Sequence, residues 1–458
     1  MVSLNIEAIL HESTIHRRQE KLSKMTDGSG LGDVYGATIA RIKAQDGDKS
    51  RLGMAALMWI NHAERPLRAD ELCYALAVEL GSRDFNTRNI PSMSTLVGCC
   101  QGLISVDKEA STVRLIHFTL QEYLSAHPDL FSRPHSALAE ICLTYLSSQQ
   151  VKALSTNPSP DTRNTPFLEY CSVYWGAHAK KELSDSAFSL ALELLKGHYS
   201  EISTKLLLAR IQGLDLPDFR PCSPFSGLHC ASFFGIMEVV AGLIQMGCYD
   251  IDGGDFSGFT PLAWAAHNGH EEVVKTLLGW EEVSPDKPGN GGKTPLMHAS
   301  SSGHEGVVKI LLERKEVNPD KPDKWGWTPL TYAASYGHEG VVEILLEREE
   351  VNPDKPGDDG CTPLTYAARS GHEGVVKILL EREEVNPDKP DKWGSTPLSY
   401  AASSGHEGVV KILLGREEVN PEQPDYLGKT PILHATEQGH EKVAALLRAR
   451  KAVIPSTI

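Results

Sequence analysis

A Thr-Pro step recurs at Thr260, Thr294, Thr328, Thr362, Thr396 and Thr430, each 34 residues after the last. A fixed period of this length constrains the fold more than any bulk property does. It marks a stack of like supersecondary units, each covering its neighbour's apolar face, in place of one globular core. The clearest unit runs Thr328-Pro-Leu-Thr-Tyr-Ala-Ala-Ser-Tyr-Gly-His-Glu-Gly-Val-Val-Glu-Ile-Leu-Leu346 and is followed by a Val-Asn-Pro-Asp-Lys-Pro tail.

Each position in the unit has a physical job. Thr is a good helix N-cap, and Pro at the first helical position gives up only an N–H that would be unpaired. Leu330, Ala333 and Ala334 give a short first helix a narrow apolar face, and Gly337 ends it in the left-handed conformation. A second helix from Glu339 turns Val341, Val342, Ile344, Leu345 and Leu346 towards its neighbours. The Asn352-Pro-Asp-Lys-Pro356 run cannot be helical and predicts an extended loop reaching the next hairpin turn.

This string resembles the ankyrin repeat, T-P-L-H-x-A-A-x-x-G-H-x-x-V-V-x-x-L-L, almost residue for residue. The resemblance implies helix-turn-helix plus β-hairpin units. Two departures stand out: the family's His after T-P-L is replaced by Ala263, Met297, Thr331, Thr365, Ser399 and Leu433, and Glu-Glu or Lys-Glu takes the place of the usual Gly-Ala after the second helix. A degenerate first copy, Ser226-Gly-Leu-His-Cys-Ala-Ser-Phe-Phe-Gly235, makes seven repeats, starting near 226, 260, 294, 328, 362, 396 and 430. Arg448, Arg450 and Lys451 suit a solvent-facing terminal cap.

Before the repeats, the pattern predicts a helical lead-in over 1–50, a winged helix over 51–126 and an α-helical connector over 127–225. Met54–Ile60, Arg65–Leu76 and Pro91–Val97 read as three helices or helix starts, Leu103–Val106 and Thr112–Ile116 as two strands, and Thr119–Leu124 as a following helix. Phe167–Trp175 and Phe188–Leu195 have amphipathic spacing, with a polar Pro-rich break at Ser155–Asp161 between them and the winged helix. The fold class is thus mainly α, an ankyrin-repeat solenoid preceded by a winged helix and a helical connector.

The stretch from Trp59-Ile-Asn-His-Ala-Glu-Arg-Pro-Leu67 to Val113-Arg-Leu-Ile-His-Phe-Thr-Leu-Gln-Glu-Tyr-Leu124 is similar to the winged-helix part of fungal NACHT/STAND (NLR-like) proteins. Those proteins place it after a P-loop ATPase domain and before ankyrin repeats. The resemblance implies a NACHT ATPase partner in cis or in trans. It also points to His117, within Ile116-His-Phe-Thr-Leu-Gln-Glu-Tyr123, as a nucleotide-phosphate sensor. Such winged helices often carry the label of a GPI inositol-deacylase, but the chain has no G-x-S-x-G nucleophile elbow.

Chemistry-bearing motifs are otherwise absent. Gly28-Ser-Gly-Leu-Gly32 lacks the Lys of a phosphate loop, and the six His-Glu pairs lack the second His of H-E-x-x-H, that position being Val or Ala. Each of these histidines is expected to cap its helix and bond backbone across the stack. No metal, cofactor or catalytic residue is expected, and the chain is not read as an enzyme. The net charge, 45 − 60 = −15, gives no clustered cations for nucleic acid. The third helix of the winged helix offers Leu96, Val97, Cys99 and Cys100 where base contacts would be needed, with Arg88 the one cation nearby. Nine cysteines without C-x-x-C, no secretory leader and no membrane-length apolar run predict a cytoplasmic protein.

What varies while the frame repeats carries the specificity. In the ankyrin family the hairpin tips and the two residues before the helix-ending Gly line the concave binding face. Those slots hold Trp325, Trp327, Asp358, Asp359, Lys392 and Trp393 at the tips, and His267, Asn268, Tyr336 and Arg369 at the helix ends. Trp, Tyr and Arg are enriched where interfaces concentrate their binding energy. The expected function is non-enzymatic capture of a protein partner, as the sensing part of an NLR-like receptor. The alternatives are a free-standing ankyrin scaffold or decoy, and a DNA-associated regulator using the winged helix.

Overall fold

A computed structural model describes residues 31–82, 84–107, 109–155, 164–196, 201–212, 225–247 and 249–451. The expected helical opening before residue 31 and nearly all of the Ser155–Asp161 break lie outside these residues. The chain divides into two compact units, Met1–Pro221 and Cys222–Ile458.

In the first unit, α1 (Leu31–Lys43), α2 (Asp48–His62), α3 (Ala69–Ala77) and α4 (Met93–Cys99) precede an antiparallel pair, β1 (Ile104–Asp107) and β2 (Thr112–Leu115), and then α5 (Phe118–Ala126). The strands pair Val106 with Val113, and Leu67 joins their edge by accepting a bond from the Val113 N–H at 2.9 Å. This is the helix–helix–helix–hairpin order of a winged helix. Leu96, Cys99 and Cys100 at this third helix are buried, and Val97 is half-buried, so three of the four residues that lacked base-reading chemistry are core residues. Glu71, fully buried at the start of α3, is satisfied by a two-pronged bond from Arg65 at 2.7 and 2.8 Å and by the Arg68 N–H at 2.8 Å.

Helices α6 (Pro134–Leu146), α7 (Gln149–Ser155), α8 (Leu168–Lys181), α9 (Asp185–Lys196) and α10 (Glu201–Gln212) complete the unit. Its aromatic centre is Trp59 of α2, met edge-on by Phe167 at 5.5 Å, Tyr170 at 5.8 Å and His178 at 6.4 Å. Burial pulls the His178 ring down to about 3, helped by His135 and Lys181.

The second unit is seven helix pairs, from Gly227–Phe234 with Met237–Gln245 to Pro431–Glu437 with Glu441–Lys451. The Thr hydroxyls cap as the sequence demands: Thr328 accepts from the Thr331 N–H at 3.2 Å, and Thr362 from the Thr365 N–H at 3.3 Å. At Thr331 and Thr365, where the family's His is missing, the hydroxyl closes a capping box by accepting from the cap's own N–H. The first copy keeps its His229, which bonds the carbonyls of Gly253 and Phe259 at 3.0 and 3.1 Å.

The Gly-His step is a lock between repeats. Gly337 has φ +79°, and a Cβ there would stand 2.5 Å from Nδ1 of His372 in the next copy. The same imidazole donates through Nε2 to the Ser335 carbonyl at 3.0 Å. His270, His304, His338, His406 and His440 do likewise to Phe233, His267, Ser301, Arg369 and Ser403. A second ladder runs along the Asn-Pro-Asp-Lys-Pro loops, where Lys321, Lys355 and Lys389 reach Asp286, Asp320 and Asp354 at 2.7, 2.8 and 2.8 Å.

The expected β-hairpins are tighter than strands. Asp323 N–H donates to the Trp327 carbonyl at 2.9 Å, closing a five-residue turn, and one bond, Asp358 N–H to the Trp325 carbonyl at 2.9 Å, joins it to the next tip. One pair per turn is too few for a ladder, so no strand forms among the described residues of the repeats.

Candidate functional site

The fingertip loops are built around a buried carboxylate. Asp323 takes the Trp325 and Trp327 N–H groups on Oδ1, both at 2.9 Å, and the Tyr332 hydroxyl on Oδ2 at 2.7 Å. Asp255, Asp391 and Asp425 repeat the arrangement with Trp264, Tyr400 and His434 as the ring donors. Gly289 and Gly357 occupy the same slot in the intervening copies, and in the second of these Asp359 takes over, accepting from Tyr366 at 2.6 Å and the Cys361 N–H at 3.0 Å. The anchored loop lifts the residue two places on from the carboxylate out of the stack.

Trp325, Trp393 and Leu427 are lifted in this way, with Tyr426 beside the last of them. Trp325 is 55% exposed, Trp393 57%, Tyr426 77% and Leu427 84%. Trp325 rests the edge of one ring on Gly291 of the preceding tip and leaves its remainder open. Tyr336, 59% exposed, stands at the end of its first helix, and Arg369 lies over the Tyr400 ring at 5.5 Å. Asp358 and Lys392 are exposed at the tips, each donating its backbone N–H to the preceding loop.

The remaining candidates also make contacts within the scaffold. Trp327 packs on Tyr332 and Tyr366 at 5.1 and 4.3 Å, and Asp359 is spent on its own loop. Asn268 caps its helix by donating to the Trp264 carbonyl at 2.9 Å, while His267 leans its ring on Trp264 and His298. Tyr426 and Leu427 were missed by sequence reasoning. They fall 34 residues after Lys392 and Trp393, so the period itself would have found them.

His117 sits at the N-cap of α5, its Nδ1 accepting from the Thr119 N–H at 3.3 Å. It borders a cleft of about 380 Å³ shared with Arg65, Arg114, Phe118 and Gln121. Arg65 is held by Glu71 there, and Arg114 pairs with Asp107 at 3.2 Å, so both cations of the cleft are already engaged.

Models of known families fit both parts of the chain. Ankyrin repeats (3 copies) match over residues 191–288, 228–323, 282–356, 315–391 and 383–457, more than half of the chain. The chain belongs to the ankyrin-repeat family. A second model, GPI inositol-deacylase, winged helix domain, matches residues 41–136. No curated protein matches. Ankyrin repeats are a non-catalytic interaction fold, and their partners are proteins. Among the described residues no helix is long and apolar enough to cross a membrane.

Proposed function

We propose that the chain is a non-enzymatic interaction protein whose ankyrin tips grip a protein partner, as the sensing part of an NLR-like receptor in the cytoplasm. The observation that carries this reading is the column Trp325, Trp393 and Leu427 on one loop register, all more than half exposed. Large apolar side chains held open by a rigid carboxylate anchor bind with little entropic penalty. Tyr336 and Arg369 extend the same surface, and Asp358 and Lys392 supply its polar rim. The winged helix and the connector act as a base that relays occupancy to a NACHT ATPase, in cis or in trans, with His117 as the residue facing its nucleotide. Residues 51–126, 127–225 and 226–458 are taken as the winged helix, connector and repeats of this arrangement.

Affinity capture with the full chain tests the reading. A partner retained by the wild type should be lost, at least tenfold in affinity, from Trp325→Ala/Trp393→Ala at unchanged melting temperature. Equal retention by both would remove the tips from the binding surface.

A further inference from the structure

The first unit contains a cluster of histidines that neither the winged helix nor the repeats account for. His135, the second residue of α6, and His178, in the last turn of α8, bring their Nδ1 atoms to 2.9 Å. Glu64, just beyond the end of α2, places Oε1 3.7 Å from the His178 Nδ1. All three ligand atoms lie within 4.8 Å of one another. From these contacts we infer that Glu64, His135 and His178 form a binding site for a divalent transition metal, zinc above all, that clamps α2, α6 and α8 together.

The donor set selects the ion. Two imidazole nitrogens and one carboxylate suit zinc and its neighbours, whereas calcium and magnesium demand oxygen. Two nitrogens about 2.0–2.1 Å from one tetrahedral zinc stand about 3.3 Å apart, so a few tenths of an ångström of ring rotation opens the observed pair to fit. The fourth position is left to water. His178 is fully buried, but His135 is half-buried and the Glu64 side chain 22% exposed, so the ion enters from their side.

The surroundings are those of a held ligand. Nε2 of His178 lies 2.9 Å from the Tyr170 hydroxyl, which also accepts from the Glu64 N–H at 3.0 Å. With Nε2–H donating to Tyr170, the His178 Nδ1 lone pair faces His135 and Glu64. Metal-bound histidines are oriented by such a bond on the second nitrogen. Lys181 holds the same Glu64 oxygen at 2.6 Å and competes with the ion. Its side chain is half exposed and free to swing into water. The repeat histidines differ, since each of the six already donates Nε2 to a carbonyl of the previous copy.

The test uses the full chain stripped with a chelator. Cobalt(II) should give the visible absorption of a tetrahedral site, and zinc should displace it at one equivalent per chain. His135→Ala and Glu64→Gln, at the mouth of the site, should each weaken zinc at least tenfold. Tyr170→Phe should weaken it about tenfold, and Lys181→Met should tighten it severalfold. Zinc should raise the melting temperature of the wild type by several degrees and that of His135→Ala not at all. The absence of a tetrahedral cobalt spectrum in the wild type, or equal zinc affinity in the wild type and His135→Ala, would overturn the site.

Discussion

In the ankyrin repeats one contact is made again every 34 residues, whereas in the first unit each decisive contact is made once, between residues far apart in the chain. The Gly-His lock appears at every interface, so its loss at one interface leaves the others in place. Trp59, by contrast, is a single ring on which Phe167, Tyr170 and His178 all converge. The stack distributes its stability over near-identical local interfaces; the first unit concentrates it in a few non-local ones.

Trp59→Ala is the sharpest way to break the comparison. The ring is fully buried, and its truncation should cost about 3–5 kcal/mol. Denaturant unfolding followed by circular dichroism should then lose the first unit's transition early while that of the repeats stays in place. A joint shift of both transitions would show that the units are not energetically distinct.

Gly337→Ala attacks the repeated contact. The left-handed φ and the His372 imidazole 2.5 Å from the new Cβ should together cost about 1–3 kcal/mol. The loss should be confined to that interface, with amide exchange rising in the flanking helices and not at the ends of the stack.

The repeats were legible because their physics is local. Thr-Pro, Ala-Ala, Gly-His and Val-Val each act within one unit or on the next, so spacing alone exposes them. The histidines' bonding across the stack followed from that. The loop contacts of Asp359 did not, because they depend on Gly357 having replaced the usual loop carboxylate, a three-dimensional substitution within one turn. In the first unit the helix and strand order of the winged helix could be read from pattern. The cluster of Glu64, His135 and His178 could not, since its members are scattered over more than a hundred residues and share no motif. His117 carried a motif, but its helix-cap bond to Thr119 becomes visible only when the chain turns from β2 into α5.

Acid acts on a buried residue of the repeats. Burial, with smaller contributions from His267 and Lys293, pulls His298 down to about 3. Between about pH 6.5 and 3 the unfolded chain therefore binds a proton that the folded repeats refuse. Stability is full above that window and falls on acidification by at most about 1.4 kcal/mol per pH unit for this group. His298→Gln should flatten that part of the pH–stability profile of the repeats, and an unchanged slope would remove His298 as its source.

The smallest effect lies where the lysine ladder stops. Gln423 holds the position that is Lys in the earlier copies, and burial pushes the carboxyl of Asp388, one repeat earlier, up against the opposing Asn420 N–H bond. Gln423→Lys should complete the ladder and raise stability by about 0.2–1 kcal/mol, more at low salt than at high. Thermal melts at two ionic strengths read this directly.

The most direct test of the proposed grip is a paired affinity measurement on one captured partner. Trp325→Ala/Trp393→Ala/Tyr426→Ala removes the open rings of the tips, while Glu343→Ala/Lys377→Ala changes exposed second-helix positions that also vary between copies. A loss of tenfold or more with the first variant and none with the second is the predicted result. Loss with the second variant alone would place the partner on the opposite side of the stack and contradict the account.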